Sequence, residues 1–298
     1  MAESGTAADG VVHRRELRAL GVTKEDVRRE VLAGRWRLAG RHTVVVSGGP
    51  VQGRGILWQA VWESGPGAVL DGAAALVAAG MTGYGLDGID VSVPLGNHIH
   101  PLPGVRARRR TPAATVPVGI PRVRPEWATL HAAQWAGSDR QAALLICLAV
   151  QQRLVAPDRL LAAWRTVRRS PRRAFLDAVL RDVCDGAHSL GELDFARWCR
   201  RRGLPEPTRQ QVKTLRGGRV YLDVEWADVG LVVEIDGGHH ALALNPVADA
   251  LRQNEVTLTR RAVLRIPVVG LRLAPDAFLD QVARGLSLRA GAAAYGVA

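Results

Sequence analysis

The segment from Tyr221 to Gly238 constrains the chain most. It holds five acids, Asp223, Glu225, Asp228, Glu234 and Asp236, and no Lys or Arg, inside a protein of formal net charge +12. Its second half alternates. Leu231, Val233 and Ile235 share one face of an extended strand, while Glu234 and Asp236 leave the other. Alternation of this kind marks a strand, whose acids either face solvent or converge on a site, and Asp223 joins them if a preceding strand pairs with it across a turn at Ala227 to Gly230. Three carboxylates on one face, followed by Gly237, Gly238, His239 and His240, supply oxygen ligands for a hard divalent cation and a nearby group to manage protons.

Composition bounds the rest. With 298 residues, 47% hydrophobic and 23% charged, the chain can bury a core and divide into domains. The apolar run Ala142 to Val150 falls far short of the roughly 20 residues that span a membrane, and Met1 to Gly10 has no signal-peptide core. The expectation is a soluble cytoplasmic protein with no membrane partner. Cys147, Cys184 and Cys199 form no CxxC pair, which fits a reducing compartment and argues against a zinc site. Lys24 and Lys213 are the only lysines, so 38 of the 40 basic residues are arginine, as in a GC-rich genome. Codon usage explains Arg over Lys but not the excess of base over acid, and the excess points toward a phosphate-bearing partner.

The sequence reads as an α+β, multidomain chain in four parts. Residues 1–49 read as a small winged helix-turn-helix: a helical segment Val12 to Leu20, a break at Gly21, a helix capped by Thr23 with Asp26 in its first turn and ended at Gly34, then strands Arg35 to Leu38 and Thr43 to Val46. Residues 50–124 form a small α/β region, with helices Ile56 to Glu63 and Gly72 to Ala79, strands Ile89 to Val93 and Val105 to Arg109, and a Pro-rich connector Thr111 to Arg124. Residues 125–188 are a helical spacer. Residues 189–298 alternate as αββαβα: helix Ser189 to Arg202, strands Val220 to Glu225 and Leu231 to Asp236, helix Pro246 to Thr257, strand Ala262 to Ile266 and helix Pro275 to Leu286.

Several ordered motifs in this last part carry a resemblance. They are Tyr221-Leu222-Asp223, Glu234-Ile235-Asp236-Gly237, His240, Asp249-Ala250-Leu251-Arg252-Gln253-Asn254 and Val263-Leu264-Arg265, preceded by Ser189-Leu190-Gly191-Glu192 and Gly203-Leu204-Pro205-Glu206-Pro207. Together they resemble the Vsr-like bacterial endonuclease-like family, a branch of the restriction-endonuclease-like PD-(D/E)xK superfamily. The resemblance implies a magnesium- or manganese-dependent DNA endonuclease in which Asp223 and Glu234 ligate the ion and the Ile235 carbonyl is available to it. Asp236 stands where the superfamily usually keeps its lysine, and His240 would then serve as general base or phosphate contact. Glu192 would reach the metal from the first helix, although Ser189-x-x-Glu192 is equally a capping box. Asp249 and Arg252, three apart on one helix, form either an ion pair or, through Arg252, a contact to the scissile phosphate.

The amino-terminal part is similar to the winged-helix domain of AbiEi-family antitoxins, found ahead of such nuclease-like domains in actinobacterial proteins. Gly21-Val22-Thr23, Val27-Arg28-Arg29, Gly34-Arg35-Trp36 and Thr43-Val44-Val45 carry the likeness. It implies that Lys24, Arg28 and Arg29 face a major groove while Arg35 and Arg37 hold phosphates. The same resemblance admits a non-catalytic regulator of the antitoxin type, partnered by a cognate toxin or a second copy of itself. The runs Arg106 to Arg110, Arg168 to Arg173 and Arg200 to Arg202 read first as solvated faces, and the eight tryptophans as core or half-buried residues.

Overall fold

The computed structural model describes residues 10–110, 114–184, 195–214, 220–236, 245–258 and 263–294. The described residues combine α-helices with three β-sheets, and the chain divides into two compact units, residues 1–132 and 133–298.

Unit 1 begins with strand β1 (Val11–His13), helices α1 (Arg14–Ala19) and α2 (Lys24–Leu32), and strands β2 (Arg37–Leu38) and β3 (Thr43–Val45). The three strands form an antiparallel sheet in the order β1-β3-β2. Val11, Val12 and His13 are strand rather than helix because β3 offers them a partner, with Val12 opposite Val44. Val12, Leu17 and Val44 are the buried core here, and Val22, Val27, Trp36 and Val46 pack against them. Helix α2 starts where the sequence places it: Thr23 and Asp26 bond reciprocally as a capping box. It ends at Gly34, whose φ of +71° is the left-handed conformation that terminates helices.

The remainder of unit 1 is a five-stranded sheet in the order β6-β5-β4-β8-β7. Its strands are β4 (Val69–Leu70), β5 (Ile89–Val93), β6 (Val105–Arg109), β7 (Thr115–Val116) and β8 (Arg122–Val123), accompanied by helices α3 (Arg54–Glu63) and α4 (Gly72–Ala78). The Pro-rich stretch expected as a connector therefore supplies two strands. Prolines do not prevent this, because β7 lies at the sheet's edge and each of the two strands is only two residues long. Under the sheet Asp71, fully buried, accepts from the Gly72 amide at 2.7 Å and the Ser92 hydroxyl at 2.5 Å, and lies 2.8 Å from His131 Nδ1. Helix α5 (Pro125–Trp135) spans the boundary between the units in sequence.

Unit 2 opens with helices α6 (Asp139–Gln151), α7 (Pro157–Thr166), α8 (Arg173–Cys184) and α9 (Phe195–Arg202). Every residue from Ala142 to Val150 is buried. Then come β9 (Arg209–Thr214), β10 (Val220–Trp226), β11 (Leu231–Asp236), α10 (Asn245–Leu258), β12 (Val263–Pro267), α11 (Val268–Leu273) and α12 (Pro275–Ala294). The sheet order is β12-β11-β10-β9, with β9, β10 and β11 antiparallel and β12 parallel to β11 through the crossover helix α10. The sequence reading lacks β9 because Arg-Gln-Gln-Val-Lys-Thr shows no apolar face; it forms as an edge strand whose polar side chains suit solvent.

The cysteines are free thiols, and burial pushes Cys147 up to about 12 and Cys199 up to about 11, so both are inert packing groups. All eight tryptophans are buried or half-buried. Among the described residues no helix is long and apolar enough to cross a membrane.

Candidate functional site

The sheet of unit 2 has one apolar and one polar face. Leu222, Val224 and Trp226 on β10, Leu231, Val233 and Ile235 on β11, and Leu264 and Ile266 on β12 are buried. The alternate residues form the other face, and the strand register sorts them into rows. Asp223 on β10 lies opposite Glu234 on β11, Gln211 on β9 flanks Asp223, and Arg265 on β12 flanks Glu234. Directly opposite residues in an antiparallel pair hold their Cβ atoms about 4.5–5.5 Å apart, so the two carboxylates inferred from spacing are neighbours. Asp236 stands one step along the same face, opposite Tyr221, and is buried. Ile235 has its side chain in the core and its backbone between β10 and β12.

Arg265 completes the row. Its Nε donates to Glu234 Oε2 at 3.1 Å, with the Glu234 side chain 29% exposed and that of Arg265 65% exposed. The backbone beneath is fixed by Asn254 of α10, which is 1% exposed. Asn254 Oδ1 accepts the Arg265 amide at 2.9 Å, and its Nδ2 donates to the Arg265 carbonyl at 2.9 Å and to Gln281 Oε1 at 3.0 Å. Arg265 and Asn254 fall within the motifs that carry the nuclease-like resemblance, but the sequence assigns neither of them a role in the site.

The donor set suits one ion class. Magnesium is held by one or two carboxylates and completes its six oxygens from water and substrate phosphate, and Asp223 with Glu234 provides that minimum. Among the described residues no group of three or more His, Cys, Asp and Glu is placed to hold a metal ion. Glu192, His239 and His240 lie outside the described residues. Asp249 and Arg252 fall on α10 by their backbone.

The basic residues of the amino-terminal segment divide by partner. Lys24 and Arg28, four apart on α2, are exposed and have no ion-pair partner among the described residues. Arg29 is paired with Asp26. Arg35 makes a two-pronged contact with Glu30, Nε at 2.6 Å and the second guanidinium nitrogen at 2.8 Å, which depresses the Glu30 carboxyl and raises Arg35. Arg37 donates from Nε to the Gly49 carbonyl at 3.1 Å. Thus only part of the expected set stands open to a ligand. The other arginine runs are largely engaged: Arg106 and Arg108 both bind Asp90, Arg172 binds Asp139, Arg173 binds Asp177, and Arg200 and Arg202 bind Glu206 and Asp280.

A second group of cations escapes the sequence reading because it is assembled from three segments. Arg14 and Arg18 of α1, Lys24 of α2 and Arg41 of the β2–β3 turn line one open cavity of about 370 Å³. The turn is held by Glu63 at the end of α3. Its carboxylate accepts the amides of Arg41 at 2.9 Å and His42 at 2.8 Å and the Thr43 hydroxyl at 2.7 Å. Gly40 is required beside it, since a Cβ there would lie 2.5 Å from the Glu63 carboxyl carbon. No protein-family model and no curated protein matches the chain.

Proposed function

We propose that this chain is a DNA-binding protein whose unit 2 sheet is a divalent-metal-dependent endonuclease site acting on phosphodiester bonds. The observation that carries the reading is the direct cross-strand pairing of Asp223 with Glu234 on the polar face of the sheet. Two adjacent carboxylates repel, and such an arrangement gains stability from a cation between them. Magnesium or manganese bound there would polarise a phosphate oxygen and lower the pKa of an attacking water. The chain's own residues have separable parts in this scheme. Asp223 and Glu234 hold and orient the ion, buried Asp236 stands one step along the same face, and Arg265 is in reach of the anionic side of a phosphate once Glu234 turns to the metal. The strand-helix-turn-helix-hairpin of unit 1 is read as a winged helix that positions the duplex through Lys24 and Arg28.

One observation favours a second reading. Arg265 already neutralises Glu234, which is what a nuclease-like sheet retained as a non-catalytic DNA-binding regulator of the antitoxin type would do. Nicking of supercoiled plasmid by the full chain separates the two. Cleavage that needs magnesium or manganese, and is lost in both Asp223→Ala and Glu234→Gln, supports the enzyme. Equal background from all three proteins removes it, and salt-sensitive binding weakened by Arg28→Ala without cleavage establishes the regulator.

A further inference from the structure

The cavity of unit 1 gathers positive charge, with no carboxylate among its lining residues. Arg14, Arg18, Lys24 and Arg41 line it. Arg14 Nε is buried with no hydrogen-bond partner. Among the described residues Arg18 reaches only the Arg14 carbonyl, at 3.4 Å, and Arg41 only His100 Nε2, at 3.1 Å. Of the acids nearby in sequence, Asp26 is committed to Thr23 and Arg29, and Glu63 to the backbone of the turn, while Glu16 is not among the residues that line the cavity. Four like charges in one concavity raise the energy of the folded chain, and Glu63 holds one of them there through its backbone. A buried, unpartnered guanidinium nitrogen costs further.

The shape specifies the ligand beyond its sign. Leu17, Val22 and Val27 provide an apolar floor, and about 370 Å³ is in the range of small-molecule sites and more than a bare phosphate fills. A phosphodiester carries one charge. A phosphate monoester carries about −1.5 to −2 and offers three strong acceptor oxygens, which matches four donors converging from three segments. We propose that this cavity is a binding site for a phosphate monoester on a compact, partly apolar body, the chemistry of a nucleoside monophosphate. Two sources present that group: a free nucleotide and the phosphorylated 5′ end of a strand. The site is separate from the acidic row of unit 2 and needs no cleavage.

Equilibrium binding of a fluorescent nucleoside monophosphate to the full chain, at low salt and without divalent ions, tests it. The monophosphate is expected to bind at least about tenfold more tightly than the nucleoside, the worth of one charge-assisted hydrogen bond or more. Exposed Lys24→Gln and Arg18→Gln should each weaken it about tenfold while leaving the melting curve in place; Arg14→Gln, closer to the core, is read only if it folds. Competition by a 5′-phosphorylated oligonucleotide, but not by its 5′-hydroxyl twin, assigns the strand end as the source, and competition by free nucleotide alone assigns the small molecule. Equal binding of nucleoside and monophosphate, indifference to both exposed variants, or displacement of the probe to the same extent by both oligonucleotides overturns the proposal. Because the assay contains no divalent ion, it is blind to cleavage, and Arg18→Gln, a position the duplex reading does not use, lets the monophosphate site fail separately from the DNA-binding role given to Lys24.

Discussion

Arg41 in unit 1 and Arg265 in unit 2 are placed by the same device and reach opposite ends. Each has its backbone gripped by a helix side chain, Arg41 by the Glu63 carboxylate and Arg265 by the Asn254 amide. Arg41 is thereby delivered into a cluster of cations, whereas Arg265 is delivered to a carboxylate, Glu234. The difference lies in what the surrounding strands and helices contribute, since the arginine is the same. A guanidinium among other cations is set for an anionic ligand. A guanidinium on a carboxylate is a competitor for any cation that would bind there. The net charge of the whole chain distinguishes neither case.

Removing the grips should have the largest effect and break the comparison on both sides. Asn254→Ala leaves the Arg265 amide and carbonyl and the Gln281 carbonyl oxygen without their partner in a buried place, and is expected to cost roughly 2–4 kcal/mol of unfolding free energy. Glu63→Ala strips acceptors from two amides and a hydroxyl and is expected to cost a similar amount, with Gly40→Ala destabilising through the same carboxylate. Chemical denaturation read by tryptophan fluorescence measures both. A change below about 0.5 kcal/mol for either, the range of an ordinary surface substitution, would show that the backbone at that arginine needs no grip.

The grips also mark where sequence reading stops. The strand Leu231–Asp236, the facing of Glu234 and Asp236, and the capping box at Thr23 all follow from local periodicity or three-residue spacing, and the structure has them where the sequence puts them. Glu63, Asn254 and the Arg14–Arg18–Lys24–Arg41 cluster depend on contacts between segments 11 to 27 residues apart or on three separate elements, and no local pattern encodes those. β9 and the β7–β8 pair were hidden for a different reason. Their pairing is made by backbone groups, which every residue but proline carries in full, so neither hydrophobic alternation nor turn residues announced them. The pairing of Asp223 with Glu234 was legible because the turn between their strands is short, while the arrival of Arg265 beside them required the crossover through α10.

Arg265→Gln sharpens the comparison at smaller cost. The ion pair with Glu234 is largely exposed, so losing it should change stability by no more than about 1 kcal/mol. Its effect on divalent binding is more informative. With the competing guanidinium gone, titration of the full chain with manganese should show several-fold tighter binding, and Arg265→Lys, which retains a charge without the planar fork, should fall between. Unchanged affinity in both variants would mean that Arg265 does not compete for the acidic row and that Glu234 is committed to no ion.

The smallest expected effect comes from a third side chain that holds backbone, His13. Its Nδ1 accepts the Arg15 amide at 2.9 Å and caps α1, and its ring stacks on His42 at 5.9 Å. Burial, then the charges of Arg15 and His42, lower its pKa below the usual 6.5, against the opposing pull of Glu63. A histidine whose folded pKa is depressed adds stability above its unfolded pKa and loses it as pH falls from there toward the folded value, because the unfolded chain takes up the proton first. Protonation also fills the nitrogen that accepts the Arg15 amide, so the cap is lost with the same proton. The unfolding free energy should therefore drop between pH 7 and pH 5, by at most about 1 kcal/mol, the worth of one cap. His13→Asn keeps a capping oxygen without a titrating group and should flatten that slope, as Asn254 in unit 2 already does its work with an amide that carries no proton to lose. An equal slope in wild type and His13→Asn would leave the cap at His13 insensitive to protons.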